Sequence, residues 1–284
     1  MYRYNTSSNQ FAYRSDTPLS NDVIARYAPS VLATEPHETR GDRYAFIPTI
    51  EVLDGLRKEG FQPFEVRQTK CRDVGKREFT RHMVRLRHAD TITARGETPE
   101  IVLLNSHDGT SSYQLLAGIF RMVCSNGLIA GDVCNDIRIR HTGNVIGDVI
   151  EGSYRVLENI KLVSDRIDQY RSVELSVDEQ LAFARDVEQL RWGQNSALRN
   201  PEQLLYPRRF EDRKNDLWTV FNRAQENLLK GGLLGRSASG RRTRTRAVTS
   251  VNEDVKLNRS LWTLADRIAK VKLGEVTDVE LLET

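Results

Sequence analysis

The chain has 284 residues, of which 39% are hydrophobic and 29% charged, an ordinary composition for a soluble globular protein with material for one large domain or two modest ones. The balance of 42 Lys+Arg against 39 Asp+Glu gives only +3, so bulk charge alone does not argue for a nucleic-acid partner; the distribution must. No apolar run approaches the roughly 20 residues of a membrane span, and "MYRYNTSSNQFAYRSDTPLS" has no signal-peptide core.

The three cysteines, Cys71, Cys124 and Cys134, lack CxxC spacing and read as free thiols of a reducing cytoplasm, with no zinc site. Residues 1–20 read as a flexible or loosely docked arm. In "LSNDVIARYAPSVLA" Ser20 is the expected N-cap of a helix carrying Val23, Ile24 and Tyr27 on one face. "RYAFIPT" reads as a short strand broken by Pro48. "TIEVLDGLRKEG" follows as a helix with Ile50, Val52 or Leu53, and Leu56 at helical spacing and Gly60 as its stop.

Over residues 61–88 the period changes to two. "FQPFEVRQTK" and "TRHMVRLRH" flank "CRDVGKREF", the pattern of an antiparallel hairpin with a long basic loop. Phe64 and Val66 share one face of the first strand, with Glu65 and Arg67 opposite; His82, Val84 and Leu86 share one face of the second. Arg81, Met83, Arg85 and Arg87 line its reverse, so this side of the hairpin is expected to be basic and solvated. "EIVLLN" is a third strand. "SYQLLAGIFRMVC" then reads as a helix with Leu115, Leu116, Ile119, Phe120 and Val123 as its stripe, ended at "SNGL" by a left-handed Gly127. "DIRIRH" alternates again, with Ile137 and Ile139 opposite Arg138 and Arg140.

From about residue 145 the chain reads as helical: "NVIGDVIEGSYRVLENIKLVSDRIDQY", "SVDEQLAFARDVEQLRW" behind a Ser176/Glu179 capping box, "DRKNDLWTVFNRAQENLLKGG" and "NEDVKLNRSLWTLADRIAKVKL". The expected fold class is α+β: a small antiparallel sheet, hairpin plus third strand, with packed helices, followed by a mainly helical C-terminal half. The divisions are 1–20 (arm), 21–148 (α+β core), 149–274 (helical region with a basic loop at 230–250) and 275–284 (acidic tail).

"NSHDGTSS", residues 105–112, invites three readings. His107 could act as a general base oriented by Asp108, with Ser106 or Ser111 as nucleophile. A helix N-terminus here could hold an anion. The preferred reading is a strand-to-helix turn in which Asn105, Asp108 and Thr110 satisfy the first N–H groups of the helix. No catalytic residue is assigned, and no Walker spacing is present. The five histidines, at 37, 82, 88, 107 and 141, lack ligand spacing, so neither metal nor cofactor is assigned; Asp108, Asp132 and Asp136 could meet around magnesium only in space.

The basic segments speak for a nucleic-acid partner. Arg67, Arg81, Arg85 and Arg87, with Arg72, Lys76 and Arg77 in the loop and Arg138 and Arg140 extending it, form an expected positive surface, and Arg suits phosphate through its planar fork. "GRRTRTR" adds Arg241, Arg242, Arg244 and Arg246 as a flexible phosphate clamp.

"RYAFIPTIEVLDGLRKEGFQPFEVRQTK", "LNSHDGTSSYQLLAGIFRMVCSNGL", "GNVIGDVIEGSY" and "VNEDVKLNRSLW" resemble the phage- and plasmid-like proteins of the domain-of-unknown-function family numbered 932, over residues 20 to 270. The resemblance implies a plasmid or prophage protein of the bacterial cytoplasm and supplies no catalytic residues. The order helix, hairpin, third strand, helix, with Phe61, Gln62 and Phe64 opening the first strand and Gly127 closing the helix, is similar to single-strand annealing proteins of the Red-beta and RecT type. That likeness implies a homo-oligomeric ring or filament that holds single-stranded DNA and promotes annealing or recombination without ATP. The alternatives are an interaction protein that inhibits a host defence or replication enzyme, and a metal-dependent nuclease or hydrolase centred on His107 and Asp108.

Overall fold

The computed structural model describes residues 10–38, 46–91, 96–109, 111–121, 126–130, 137–139, 144–193, 198–237 and 239–276. Thr110, Cys124, Cys134, Arg140, the start of the expected strand at 43–45 and the acidic tail from 277 lie outside them. The chain divides into two compact units, the boundary within the long helix falling between Ile160 and Lys161.

The first unit opens with β1 (Ala12–Arg14), α1 (Asn21–Tyr27), α2 (Thr49–Lys58), β2 (Phe61–Gln68) and β3 (His82–His88). It continues with β4 (Glu97–Asn105), β5 (Tyr113–Arg121), β6 (Asn126–Ile129), β7 (Ile137–Ile139) and the first part of α3 (Val145–Ser172). The strands form one curled antiparallel sheet in the order β1-β2-β3-β4-β5-β6, with β7 also paired to β5. Ser20 caps α1 through the N–H of Val23, and Gly60 (φ 89°) follows the end of α2, both as the local sequence expects. Within the expected arm, Ala12–Arg14 is an edge strand on β2, and Tyr13 stacks on Tyr27 with ring centroids 4.7 Å apart.

The register sorts the side chains into two faces. Val66, Val84, Leu103 and Leu115 lie abreast on one; Glu65, Arg85, Val102 and Leu116 lie abreast on the other. Every one of these is buried. Glycines record how closely α2 and α3 pack: a Cβ on Gly55 would meet Ile146 at 3.0 Å, and one on Gly152 would meet Leu115 at 2.8 Å. The opposite face is enclosed as well, and Arg85 and Arg87, expected there in water, are inside.

Burial on both faces explains the principal correction to the sequence reading. "YQLLAGIFR" is strand β5, not a helix: it pairs with β4, β6 and β7. Tyr113, Leu115, Ala117 and Ile119 occupy one face and Leu116 and Phe120 the other, so the run is apolar without alternation, and periodicity cannot separate such a strand from a buried helix. Asn105 therefore ends β4 and Asp108 belongs to a strand-to-strand connection, and Gly127 sits inside β6 rather than at a helix end. The likeness to annealing proteins loses the helix on which its order depended.

The second unit holds the rest of α3, α4 (Val177–Trp192), α5 (Leu217–Lys230), the two-stranded ribbon of β8 (Leu234–Arg236) and β9 (Arg242–Arg244), and most of α6 (Val251–Lys272). The α4 capping box is present: Ser176 N–H donates to Glu179 Oε2 at 2.7 Å, and Glu179 N–H donates to Ser176 Oγ at 3.3 Å. Helix α5 is buried from Leu217 through Leu228 and starts on Asp216, whose Oδ1 accepts the Thr219 N–H at 2.9 Å. Phe221 is its aromatic centre, stacked on Trp218 and edge-on to Trp262. The α+β class and the helical C-terminal half match the sequence expectation. Among the described residues no helix is long and apolar enough to cross a membrane.

Candidate functional site

The "NSHDG" stretch turns from β4 toward β5, with Gly109 at φ 73°, a left-handed conformation that glycine adopts without strain. Asn105, Ser106 and His107 just before it are buried, and Asp108 is half-buried. The side chains of Asn105 and His107, with those of His82 and Tyr113, converge on the hydroxyl of Thr49, the first residue of α2. Thr49 Oγ1 lies 2.9 Å from Asn105 Nδ2, 3.0 Å from His82 Nε2, 3.2 Å from His107 Nε2 and 3.3 Å from the Tyr113 hydroxyl.

A hydroxyl donates one hydrogen bond and accepts two, and that inventory settles the proton positions. His82 Nδ1 lies 3.3 Å from the Thr80 carbonyl, which can only accept, so Nδ1 carries the proton and Nε2 is free to accept. Thr49 donates to that nitrogen and accepts from Asn105 and from His107 Nε2–H. Tyr113 sends its own proton to the Ile47 carbonyl at 2.9 Å. Burial, then the nearby His107 and Arg81, hold His82 well below the ordinary histidine range, in keeping with a neutral ring. The hub fastens α2, β3, β4 and β5 together.

Chemically the hub is closed. A general base must reach a substrate proton, yet His82 and His107 are both fully buried with ring nitrogens directed at Thr49. The backbone is committed too: His107 N–H donates to the Phe79 carbonyl at 2.9 Å, and the His107 carbonyl accepts the His37 N–H at 3.3 Å. Among the described residues no three His, Cys, Asp or Glu stand close enough to hold a metal ion.

The expected basic hairpin face is an internal ion network. Arg85 is 0% exposed and Arg87 4%; both pair with the buried Glu100, and Arg85 also lies beside the buried Glu65. Arg85 Nη1 lies 3.1 Å from Glu100 Oε2, and Arg87 Nε lies 2.9 Å from Glu100 Oε1. Glu65 accepts from Arg14 and Arg67 and lies 3.6 Å from Arg85 Nε. Burial alone would raise the Glu65 carboxyl, but the charges of Arg14, Arg67 and Arg85 prevail and hold it far below the usual carboxylate range. Arg87 is sandwiched between rings, with Cζ 4.3 Å from the Phe64 centroid and 3.9 Å from that of Phe120. Period two places these arginines on one face correctly; the enclosing curl of the sheet makes that face an interior.

The remaining expected contacts scatter. Arg77 lies over the Phe11 ring, Arg81 donates to Gln114 Oε1 at 3.3 Å, and Lys76 and Arg138 are exposed. Arg241, Arg242, Arg244 and Arg246 are all exposed; Arg242 and Arg244 form a strand of the ribbon rather than a flexible loop, and Arg241 and Arg246 flank it. Its register sets Arg236 directly opposite Arg242 and Leu234 opposite Arg244, so three arginines share one face. Arg244 Nη1 donates to the Gly232 carbonyl at 2.7 Å; among the described residues none of these arginines forms an ion pair. Arg236 was missing from the sequence reading, although the alternation "RTRTR" after a Ser/Gly turn is itself a hairpin signal. Thr49, Glu65 and Glu100 were missed as well, because Thr49 and Glu100 gain their part from partners distant in sequence, and Glu65 from Arg14 and Arg85 besides the neighbouring Arg67.

Comparison with known proteins agrees with the whole-chain resemblance. The family described as "Domain of unknown function (DUF932)" matches residues 36–262. The chain is 49% identical over 255 residues to the UPF0380 protein YafZ of Escherichia coli (strain K12), covering 90% of this chain and 93% of that protein. It is likewise 49% identical over 255 residues to the UPF0380 protein YfjQ of the same strain, with the same coverage. No solved structure matches. With the family match spanning most of the chain and two full-length relatives at this identity, the chain belongs to the family of domain of unknown function 932.

Proposed function

We propose that the protein binds nucleic acid by gripping its phosphate backbone with the β8–β9 ribbon. The observation that carries this reading is the direct cross-strand opposition of exposed Arg236 and Arg242, with Arg244 on the same face. Like charges set directly opposite destabilise a strand pair, so the ribbon concentrates positive charge at a cost to its own stability. A phosphate backbone laid along it removes that repulsion and offers acceptors to the guanidinium forks. Binding of this kind is electrostatic and sequence-tolerant, and it requires no cofactor. In this reading the chain is a plasmid or prophage protein acting on DNA in the bacterial cytoplasm, in recombination of the mobile element.

Salt-titrated fluorescence anisotropy with a labelled oligonucleotide tests the proposal. Light scattering on the same samples reads whether the protein forms the ring or filament implied by the annealing likeness. Affinity is expected to fall steeply as salt rises, and an Arg242→Glu/Arg244→Glu variant is expected to lose most of it. No binding at low salt, or equal binding by the variant, refutes the reading.

A further inference from the structure

We infer that the ribbon's ligand is an unpaired strand, and that Tyr206 and Phe210 select it by stacking on its bases. The inference rests on the ribbon reading and adds the class of nucleic acid. The two rings are among the most exposed large hydrophobic side chains, at 57% and 77%. They lie on the 199–213 segment, which is tied to the base of the ribbon. Gln203 accepts the Leu234 N–H at 2.7 Å and donates to the Leu234 carbonyl at 2.9 Å, in the manner of a strand edge. Arg208 reaches the Gly231 carbonyl at 3.4 Å and Asn227 Oδ1 at 2.8 Å. Asn227 Nδ2 in turn donates to the Tyr206 carbonyl at 2.9 Å. The Tyr206 backbone is thus pinned between two anchors while its ring projects into water.

Exposure of one ring would mean little, since folded proteins show much apolar surface. Here two rings stand on one short segment fixed beside a row of arginines. Arg213 already lies over the Phe210 ring, with Cζ 5.2 Å from the centroid, forming a cation–aromatic pair onto which a base can add. Sequence-tolerant single-strand binders pair a basic track with aromatic platforms, because every base has a π-face. A duplex buries those faces between its own base pairs. The arginines alone would grip either form; the rings can favour only the unpaired one.

The experiment is anisotropy with a labelled mixed-sequence strand, free and annealed to its complement, on wild type, Tyr206→Ala, Phe210→Ala, Tyr206→Phe and Arg242→Glu/Arg244→Glu, each checked for a melting temperature no lower than that of wild type. Each alanine variant is expected to bind the single strand about tenfold more weakly with duplex affinity unmoved, and Tyr206→Phe, which keeps a ring, to bind like wild type. If the alanine variants lose both ligands equally, or neither, the inference fails. In that event, loss of both ligands by the charge-reversal variant leaves the ribbon reading standing, and retention of both by that variant overturns the two together. A wild type that binds neither ligand also overturns both.

Discussion

The guanidinium of Arg85 lies across Gly127: a Cβ on that glycine would fall 2.6 Å from Arg85 Cζ, and the Gly127 carbonyl accepts from Arg85 Nη2 at 3.2 Å. The glycine of "CSNGL" is therefore required by an arginine in another strand, not by a helix end. Gly127→Ala is expected to destabilise the fold by about 1–3 kcal/mol, the usual cost of overpacking a full interior. In an Arg85→Ala background, itself less stable, the same change should cost much less. Urea denaturation of the two single variants and the double variant measures the coupling; simple additivity would refute the contact.

Glu65 couples the ion network to pH. Its folded-state pKa lies below the ordinary 4.5, so its contribution is complete above that value. As pH falls below it, the unfolded chain takes up the proton first and stability declines. Glu65→Gln should lower stability at neutral pH by about 3–5 kcal/mol, because it leaves buried arginines undercompensated. The variant's stability should then fall less steeply than that of wild type below pH 4.5. Parallel curves from melts across the acid range would rule out this assignment.

His82 acts in a higher window. Its folded pKa lies below the ordinary 6.5, so here too the unfolded state binds the proton more readily. Stability from the neutral ring is present above 6.5 and is lost as pH drops below it. Between about pH 7.5 and about pH 5.5, wild type should lose more melting temperature than His82→Gln, which keeps an acceptor for Thr49. Thr49→Val should cost about 1–3 kcal/mol by stranding buried polar groups around the hub. A Thr49→Val protein as stable as wild type would mean that the hub is not cohesive.

The ribbon makes a prediction of opposite sign. Arg242→Glu turns a repulsive cross-strand pair into an attractive one, so the free protein should gain about 0.2–1 kcal/mol while binding nucleic acid more weakly. Chemical denaturation at low salt is the check, because added salt screens both effects. A destabilised variant would show that Arg236 and Arg242 are not in fact repelling each other.

Local chemistry was legible wherever the local sequence suffices. The Ser20 cap, the Ser176/Glu179 capping box, the hairpin at 61–88 and the C-terminal helices follow from hydrogen-bonding groups and periods set within a few residues of one another. Even the shared face of Arg85, Arg87 and Met83 follows from period two. Whether such a face meets water depends on what lies across it, and the curl of the sheet is a property of all its strands together. Tertiary structure alone decided that β5 is a strand, that Glu65 and Glu100 neutralise arginines inside the fold, and that His107 serves a hydroxyl in α2. The physical reason is common to all three: burial on both faces erases alternation, and a buried polar group is defined by partners that only the folded chain brings within reach.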